Sequence, residues 1–261
     1  MSAFSLDGKI ALVTGGGRGI GAAIARAFAE AGADVAVVAR TTGEVEAVAS
    51  ELRALGRRAV AVTADVGIAD QLPGLIEGVV GELGGLDILV NNAGGGTSPR
   101  FQDTRIEHLE SAFRMNVSVP FELARHAVPH LLERPGSSII NMSSQGARKA
   151  ARANLAYHVA KGALAHMTQL MAADLGPRIR VNALLPGPIE TQALRDVLDN
   201  RPPELRQLLV DRTRMRRLGQ PDDVANAAVF LASPAAAWMT GVLLDIDGGS
   251  VDEMIAGVPD L

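Results

Sequence analysis

The chain contains no cysteine, which excludes disulfides, thiol nucleophiles and thiolate metal sites and fits a reducing compartment. Aromatic residues are scarce, with one tryptophan, one tyrosine and six phenylalanines in 261 residues. No apolar run reaches the roughly 18 uninterrupted residues a membrane helix needs, and Met1–Lys9, which includes Asp7, lacks the basic-then-apolar layout of a signal peptide. The formal net charge is −4, with both signs mixed along the chain, so no basic face for nucleic acid is expected. His126 and His130 have i, i+4 spacing, but no glutamate follows His126 and no third ligand stands out; no metal site is expected. These absences leave a cytoplasmic protein with neither a nucleic-acid nor a membrane partner.

What is present is a large apolar fraction, 48% against 21% charged, enough for a sizeable core. Apolar runs at Ile10–Val13, Val35–Val38, Ala59–Val62, Ile88–Val90, Ser138–Asn141, Arg180–Ala183 and Leu243–Ile246 predict seven strands. Helical patterns at Ile20–Ala31, Glu44–Leu55, Asp70–Leu83, Ile106–Leu132, Leu155–Asp174 and Asp222–Ala232 fall between them. Such alternation predicts an α/β fold with a doubly wound, mainly parallel seven-stranded sheet and helices on both faces. No linker marks a boundary, so 1–261 is read as a single domain. The segment 186–218, broken by Pro188, Pro202 and Pro203, departs from the rhythm. It follows a late strand, where ligands of such sheets bind, and is a candidate substrate lid.

The only tyrosine, Tyr157, lies four residues before Lys161, one of three lysines. Four residues apart on a helix is one face. A cation beside the phenol would pull its pKa down from about 10 and suit it to general acid–base work. His158 adjoins Tyr157, but neighbouring helical side chains diverge, so it is not read as catalytic. Arg212, Arg214, Arg216 and Arg217 form a basic cluster at the end of the candidate lid, read first as solvated surface.

Directly after the first strand, Thr14-Gly15-Gly16-Gly17-Arg18-Gly19-Ile20-Gly21 runs into a helix. Glycines permit a sharp turn and close approach of a pyrophosphate, and the helix N-terminus offers free N–H groups and a positive dipole end. An acid at the end of the second strand would bind the ribose 2′-hydroxyl of NAD. Here Ala39 and Arg40 stand there instead, with Arg18 in the turn. Two guanidiniums and no carboxylate suit a 2′-phosphate, favouring NADP(H) over NAD(H).

Together with these, Asp65-Val66, Asn91-Asn92-Ala93-Gly94, the series Asn116, Ser144, Tyr157 and Lys161, and Pro186-Gly187-Pro188-Ile189-Glu190-Thr191 resemble the motifs of the short-chain dehydrogenase/reductase family over nearly the whole chain. The resemblance implies a Rossmann-type fold and a nicotinamide cofactor bound by Gly15, Arg18, Gly19, Ile20, Gly21, Arg40, Asp65, Val66, Asn92, Ala93, Gly94, Tyr157, Lys161, Pro186, Gly187, Ile189 and Thr191. It implies that Tyr157 exchanges a proton with a carbonyl or alcohol oxygen while Lys161 holds the cofactor ribose and lowers the tyrosine pKa. Ser144 would donate to the substrate oxygen, and Asn116 would hold a water that relays protons to Lys161. Within the family, Asn91–Gly96, Arg217–Pro221 and Leu231–Trp238 are similar to bacterial 7α-hydroxysteroid dehydrogenases. A hydroxysteroid or other apolar ketone is thus one expected substrate, a 3-oxoacyl thioester on an acyl carrier protein another, and a non-catalytic dinucleotide sensor a third reading. The apolar segment Val224–Ala232 and the last strand, with Trp238 between them, lie where the resemblance implies subunit pairing, as a homotetramer or dimer. The tail 250–261 would close a cleft or lie on a neighbouring subunit.

Overall fold

A computed structural model describes residues 2–96 and 99–250. The seven expected strands form, as β1 (Ile10–Thr14), β2 (Asp34–Ala39), β3 (Ala59–Thr63), β4 (Ile88–Asn91), β5 (Ser137–Met142), β6 (Ile179–Pro186) and β7 (Leu243–Ile246). They make one sheet in the order β3-β2-β1-β4-β5-β6-β7, and every pairing is parallel. The helices are α1 (Gly19–Glu30), α2 (Thr42–Ala54), α3 (Leu72–Leu83), α4 (Ile106–Phe113), α5 (Val119–Leu132), α6 (Leu155–Leu175), α7 (Gln192–Asp199), α8 (Glu204–Asp211) and α9 (Pro221–Ala232).

Parallel strands need helical crossovers, which cover both faces and leave the strands apolar on both sides. β1 demonstrates this: Ala11 and Val13 pack into a core with α1, α2 and α9, while Ile10 and Leu12 pack into a second core with α3 and α5. Phe28 of α1 is fully buried in the first core and contributes about 2–3 kcal/mol by burial. The chain winds outward from β1 to β3 and then returns to β4 at β1's other side. That reversal opens a crevice at the carboxyl ends of β1 and β4.

Two departures from the sequence pattern bear on the site. The continuous helix expected over Ile106–Leu132 is interrupted by a π turn at Arg114–Ser118, with the Val119 N–H bonded to the Arg114 carbonyl. Pro120 has no N–H to return to the Asn116 carbonyl, so a regular α-turn cannot pass this point. The proline-broken segment 186–218 does contain two short helices, α7 and α8. At the β7 edge of the sheet, no strand pairs with β7 beyond β6 among the described residues, and Trp238 is 100% exposed nearby.

Candidate active site

A cleft of about 1100 Å³ opens along the carboxyl ends of the strands, from Arg40 and Asp65 at one end to Ser144 and Tyr157 at the other. Every residue expected at a site from sequence lines it except Asn116, which lies wholly buried behind the wall.

The turn after β1 reaches left-handed backbone at Gly15 (φ 65°) and Gly19 (φ 56°), a region that disfavours a side chain. Not all its glycines serve a ligand. A Cβ on Gly21 would stand 2.2 Å from the Gly15 carbonyl oxygen, and one on Gly15 would stand 2.8 Å from Asn92 Nδ2. These two glycines let the turn fold against itself and against the loop after β4. Asn92 Nδ2 donates to the Thr14 carbonyl at 2.9 Å. Thr14 Oγ1, in turn, accepts from the Asn92 and Ala93 amides at 3.1 Å. Arg18 precedes α1 in extended backbone and its side chain does not cap the helix; the first residues of α1, Gly19, Ile20 and Gly21, line the cleft. Asp65 accepts from the Gly67 amide at 2.9 Å, which shapes the turn at the far end.

The corner by Arg18 and Arg40 holds a residue that sequence reading missed. Glu44, in the first turn of α2, rests against the glycine turn, where a Cβ on Gly17 would meet its Cβ at 2.9 Å. Its Oε1 is 3.9 Å from Arg18 Nη1, and both side chains are partly exposed, so the pair adds little stability. The expected corner of two guanidiniums without a carboxylate is thereby corrected. An acid is absent from the end of β2, but α2 supplies one. The only signal for it was an acid near a helix N-terminus, where acids are common for dipole reasons alone.

At the inner end, Ser144 heads a short 3₁₀ turn (Gln145–Ala147), its Oγ accepting from the Gly146 amide at 3.1 Å. The same hydroxyl is hydrogen-bonded to Tyr157. Lys161 is 4% exposed; its Nζ donates to the Met142 carbonyl at 2.8 Å and lies 5.6 Å from the centroid of the Tyr157 ring. Ser143 Oγ donates to the Lys161 carbonyl at 2.9 Å, fastening α6 to the end of β5. Burial lowers the Lys161 pKa from 10.5 to about 7. Burial also raises that of Tyr157, against the opposing hydrogen bond from Ser144. The depressed tyrosine pKa expected from spacing is therefore corrected for the protein by itself. The shared helix face puts the ammonium over the ring, directed at a carbonyl, and desolvation dominates both groups.

Asn116 sits in the π turn. Its Nδ2 donates to the Ala112 and Gly95 carbonyls at 2.8 and 2.9 Å, and its Oδ1 accepts from the Gly95 amide at 3.0 Å. Backbone partners thus take both Nδ2 hydrogens and one lone pair of Oδ1, which shapes the wall at Gly94–Gly95 and leaves the second Oδ1 lone pair as an acceptor. A Cβ on Gly94 would stand 2.8 Å from Asn116 Oδ1 and 3.4 Å from Lys161 Nζ.

On the remaining wall, Gly187 packs on Asp247, with 2.8 Å between its would-be Cβ and Asp247 Cα. Ile189 is buried, and Thr191 Oγ1 caps α7 by accepting from the Leu194 amide at 3.3 Å. Glu190 ties both short helices to the body, pairing with Arg206 of α8, lying 3.9 Å from Arg195 Nε of α7 and accepting from Gln220 Nε2 at 3.1 Å. Arg217, from the basic cluster, makes a bidentate pair with Asp223 at 2.6 and 2.8 Å. His130 Nε2 is hydrogen-bonded to Glu77 at 3.0 Å, and His126 Nε2 to Arg125 Nη2 at 2.8 Å, with Glu122 3.5 Å away. Among the described residues no cluster of metal-ligating side chains occurs, and no helix is long and apolar enough to cross a membrane. The tail beyond Ser250 lies outside the described residues.

The fold agrees with what the chain is similar to. The family model described as enoyl-(acyl carrier protein) reductase matches residues 15–251. An uncharacterized oxidoreductase of Mycobacterium tuberculosis is 49% identical over 260 residues, covering 99% of this chain and 98% of its own. The 7α-hydroxysteroid dehydrogenase of Escherichia coli K12 is 40% identical over 250 residues, covering 95% and 96%. A solved 7α-hydroxysteroid dehydrogenase complexed with NADH and 7-oxo glycochenodeoxycholic acid superposes with a TM-score of 0.91 at 40% identity, over 97% of this chain and 98% of that one.

Proposed function

The chain belongs to the short-chain dehydrogenase/reductase family, and from that premise we propose that it is an NADP(H)-dependent oxidoreductase interconverting a secondary alcohol and a ketone. The observation that carries this reading is the convergence of Ser144, Tyr157 and Lys161 at the inner end of a cleft that is also lined by the uncapped N-terminus of α1.

The cleft suits an elongated dinucleotide by its own chemistry. Amides at the start of α1 fit a pyrophosphate, and Arg18 and Arg40 line the corner suited to a 2′-phosphate. When bound, the cofactor supplies or accepts a hydride. The remaining work falls to this chain's side chains. Tyr157 Oη gives its proton to the substrate oxygen in reduction and takes it back in oxidation. Ser144 Oγ donates to the same oxygen, stabilising the charge that develops there. Lys161 holds the cofactor ribose and, once protonated, favours the phenolate. Asn116 keeps the Gly94–Gly95 wall in place beside Lys161. The segment 186–218 serves as the lid over the substrate.

NAD(H) is the second reading, favoured by the Glu44 carboxylate beside Arg18, and the solved relative bound to NADH is consistent with it. For the substrate, apolar Pro188, Ala193 and Leu194 along the lid side of the cleft support an apolar ketone such as an oxosteroid over a thioester. Edge strand β7 and the exposed Trp238 support a homo-oligomer; a monomeric mass in solution would refute that.

The deciding experiment follows nicotinamide absorbance against oxosteroids, simple ketones and 3-oxoacyl thioesters, with NADPH and NADH in parallel. Turnover of the steroids with NADPH is expected. Turnover of thioesters alone, or a preference for NADH, would overturn the corresponding part of the reading.

A further inference from the structure

The loop that carries Ser144 is held from the far end of the chain. After the 3₁₀ turn, two consecutive basic residues reach two acids at alternate positions at the end of β7. Arg148 pairs with Asp245 and donates to the Leu243 carbonyl at 3.0 Å, on the outer edge of the sheet. Lys149 Nζ donates to Asp247 Oδ2 at 2.9 Å and to the Ser250 carbonyl. The Lys149 amide donates to the Gln145 carbonyl at 2.9 Å, so the residue closes the turn that Ser144 opens. From the other side His158 bonds to the Lys149 backbone and packs on Gly146, where a Cβ would come within 2.4 Å of the imidazole.

Lys149 and Asp247 are both largely shielded from solvent, 22% and 13% exposed, so the pair is less screened than one at the open surface. The acid's own segment is also well held. Asp247 Oδ1 accepts from the Gly249 amide at 2.9 Å, and the Gly248 carbonyl accepts from the Met215 amide at 3.1 Å. Met215 lies just beyond α8, so one short segment, 245–250, fastens both the Ser144 loop and the end of the lid.

We propose that Lys149, anchored on Asp247, is a positioning residue for Ser144, fastening the Ser144 loop to the segment after β7 and so fixing where its hydroxyl stands relative to Tyr157. This rests on the reading of Ser144 as the donor to the substrate oxygen. A donor displaced by a fraction of an ångström still folds but loses transition-state stabilisation.

The test compares Lys149→Met, Asp247→Asn and the double variant with wild type, in hydrogen exchange and in kinetics. Exchange should quicken in the peptide spanning Ser144–Lys149 and stay unchanged in β5. kcat should fall about ten- to a hundredfold, while NADPH affinity by nicotinamide fluorescence stays within about twofold. The double variant should lose no more than Lys149→Met alone, because the lysine's removal already breaks the contact with Asp247. Lys149→Arg, which keeps the cation, should recover most of kcat. If Lys149→Met does not fold, the near-isosteric Asp247→Asn carries the same expectations. Unchanged exchange, an unchanged kcat, or an equal loss in NADPH affinity would each overturn the proposal. If wild type turns over no carbonyl compound, the reading of the site fails separately, and the exchange result alone decides whether Lys149 holds the loop.

Discussion

Lys161 Nζ lies 5.6 Å from the centroid of the Tyr157 ring; the lysine is buried and the tyrosine half-buried at the cleft wall. The amine donates to the Met142 carbonyl at 2.8 Å, a neutral acceptor. A buried ammonium held this way is destabilising unless something else in the site uses the charge.

Lys161→Met should therefore separate stability from activity. The folded pKa is about 7, below the reference 10.5. Between those values the unfolded chain binds more protons, so stability rises with pH across that window, and below about 7 the full cost of burying the cation is present. The variant should gain about 1–3 kcal/mol at pH 6, less by pH 9, and lose turnover. Urea unfolding at the two pH values checks this; an equal gain at both would contradict it.

Tyr157→Phe should lower kcat by about a thousandfold while nicotinamide fluorescence still reports NADPH binding. Activity near wild type would refute the proposed role. Because burial raises the phenol pKa, the acid form needed for reduction is present across neutral pH, while the base form needed for oxidation accumulates only as pH rises. Oxidation should climb from neutral to alkaline pH, with reduction falling only at the alkaline end. Initial rates in both directions over the same buffers test the asymmetry.

Cofactor preference should respond to Glu44. Glu44→Gln removes a carboxylate from the Arg18 corner and should tighten NADPH by about three- to tenfold, with little change for NADH. Arg40→Asp combined with Arg18→Ala should move preference toward NADH. Titrations of both cofactors measure each shift, and an unchanged ratio in the second variant would sink the 2′-phosphate assignment.

Two glycine-to-alanine changes should have opposite signs. Gly94→Ala brings a Cβ to 2.8 Å from Asn116 Oδ1; it should cost about 1–3 kcal/mol and impair turnover by shifting the wall beside Lys161. Gly43 lies in the first turn of α2, where its backbone is helical and an added Cβ would meet nothing within 4 Å. Gly43→Ala should stabilise by about 0.4–1 kcal/mol without touching activity. Thermal unfolding of the two variants side by side checks both.

The sequence by itself determined the sheet and most of the cleft's lining. Strands covered on both faces must be apolar runs, and crossovers between parallel strands must be helices, so the seven runs and their alternation imply a doubly wound parallel sheet. Residues at the ends of those strands, such as Thr14, Asn92, Ser144 and Pro186, then come together because strand ends converge in such a sheet. Glycine-rich backbone and i, i+4 spacing are likewise local signals, visible without a partner.

Only the tertiary structure decided what depends on distant segments meeting. Glu44 reaches Arg18 from another helix, 26 residues along the chain, and Lys149 meets Asp247 across 98 residues. The π turn at Asn116 answers to Pro120 but also to the Gly95 backbone it bonds. The direction of the Tyr157 and Lys161 pKa shifts turned on burial, which helix spacing does not report: periodicity says which residues share a face, and packing says how much water that face keeps.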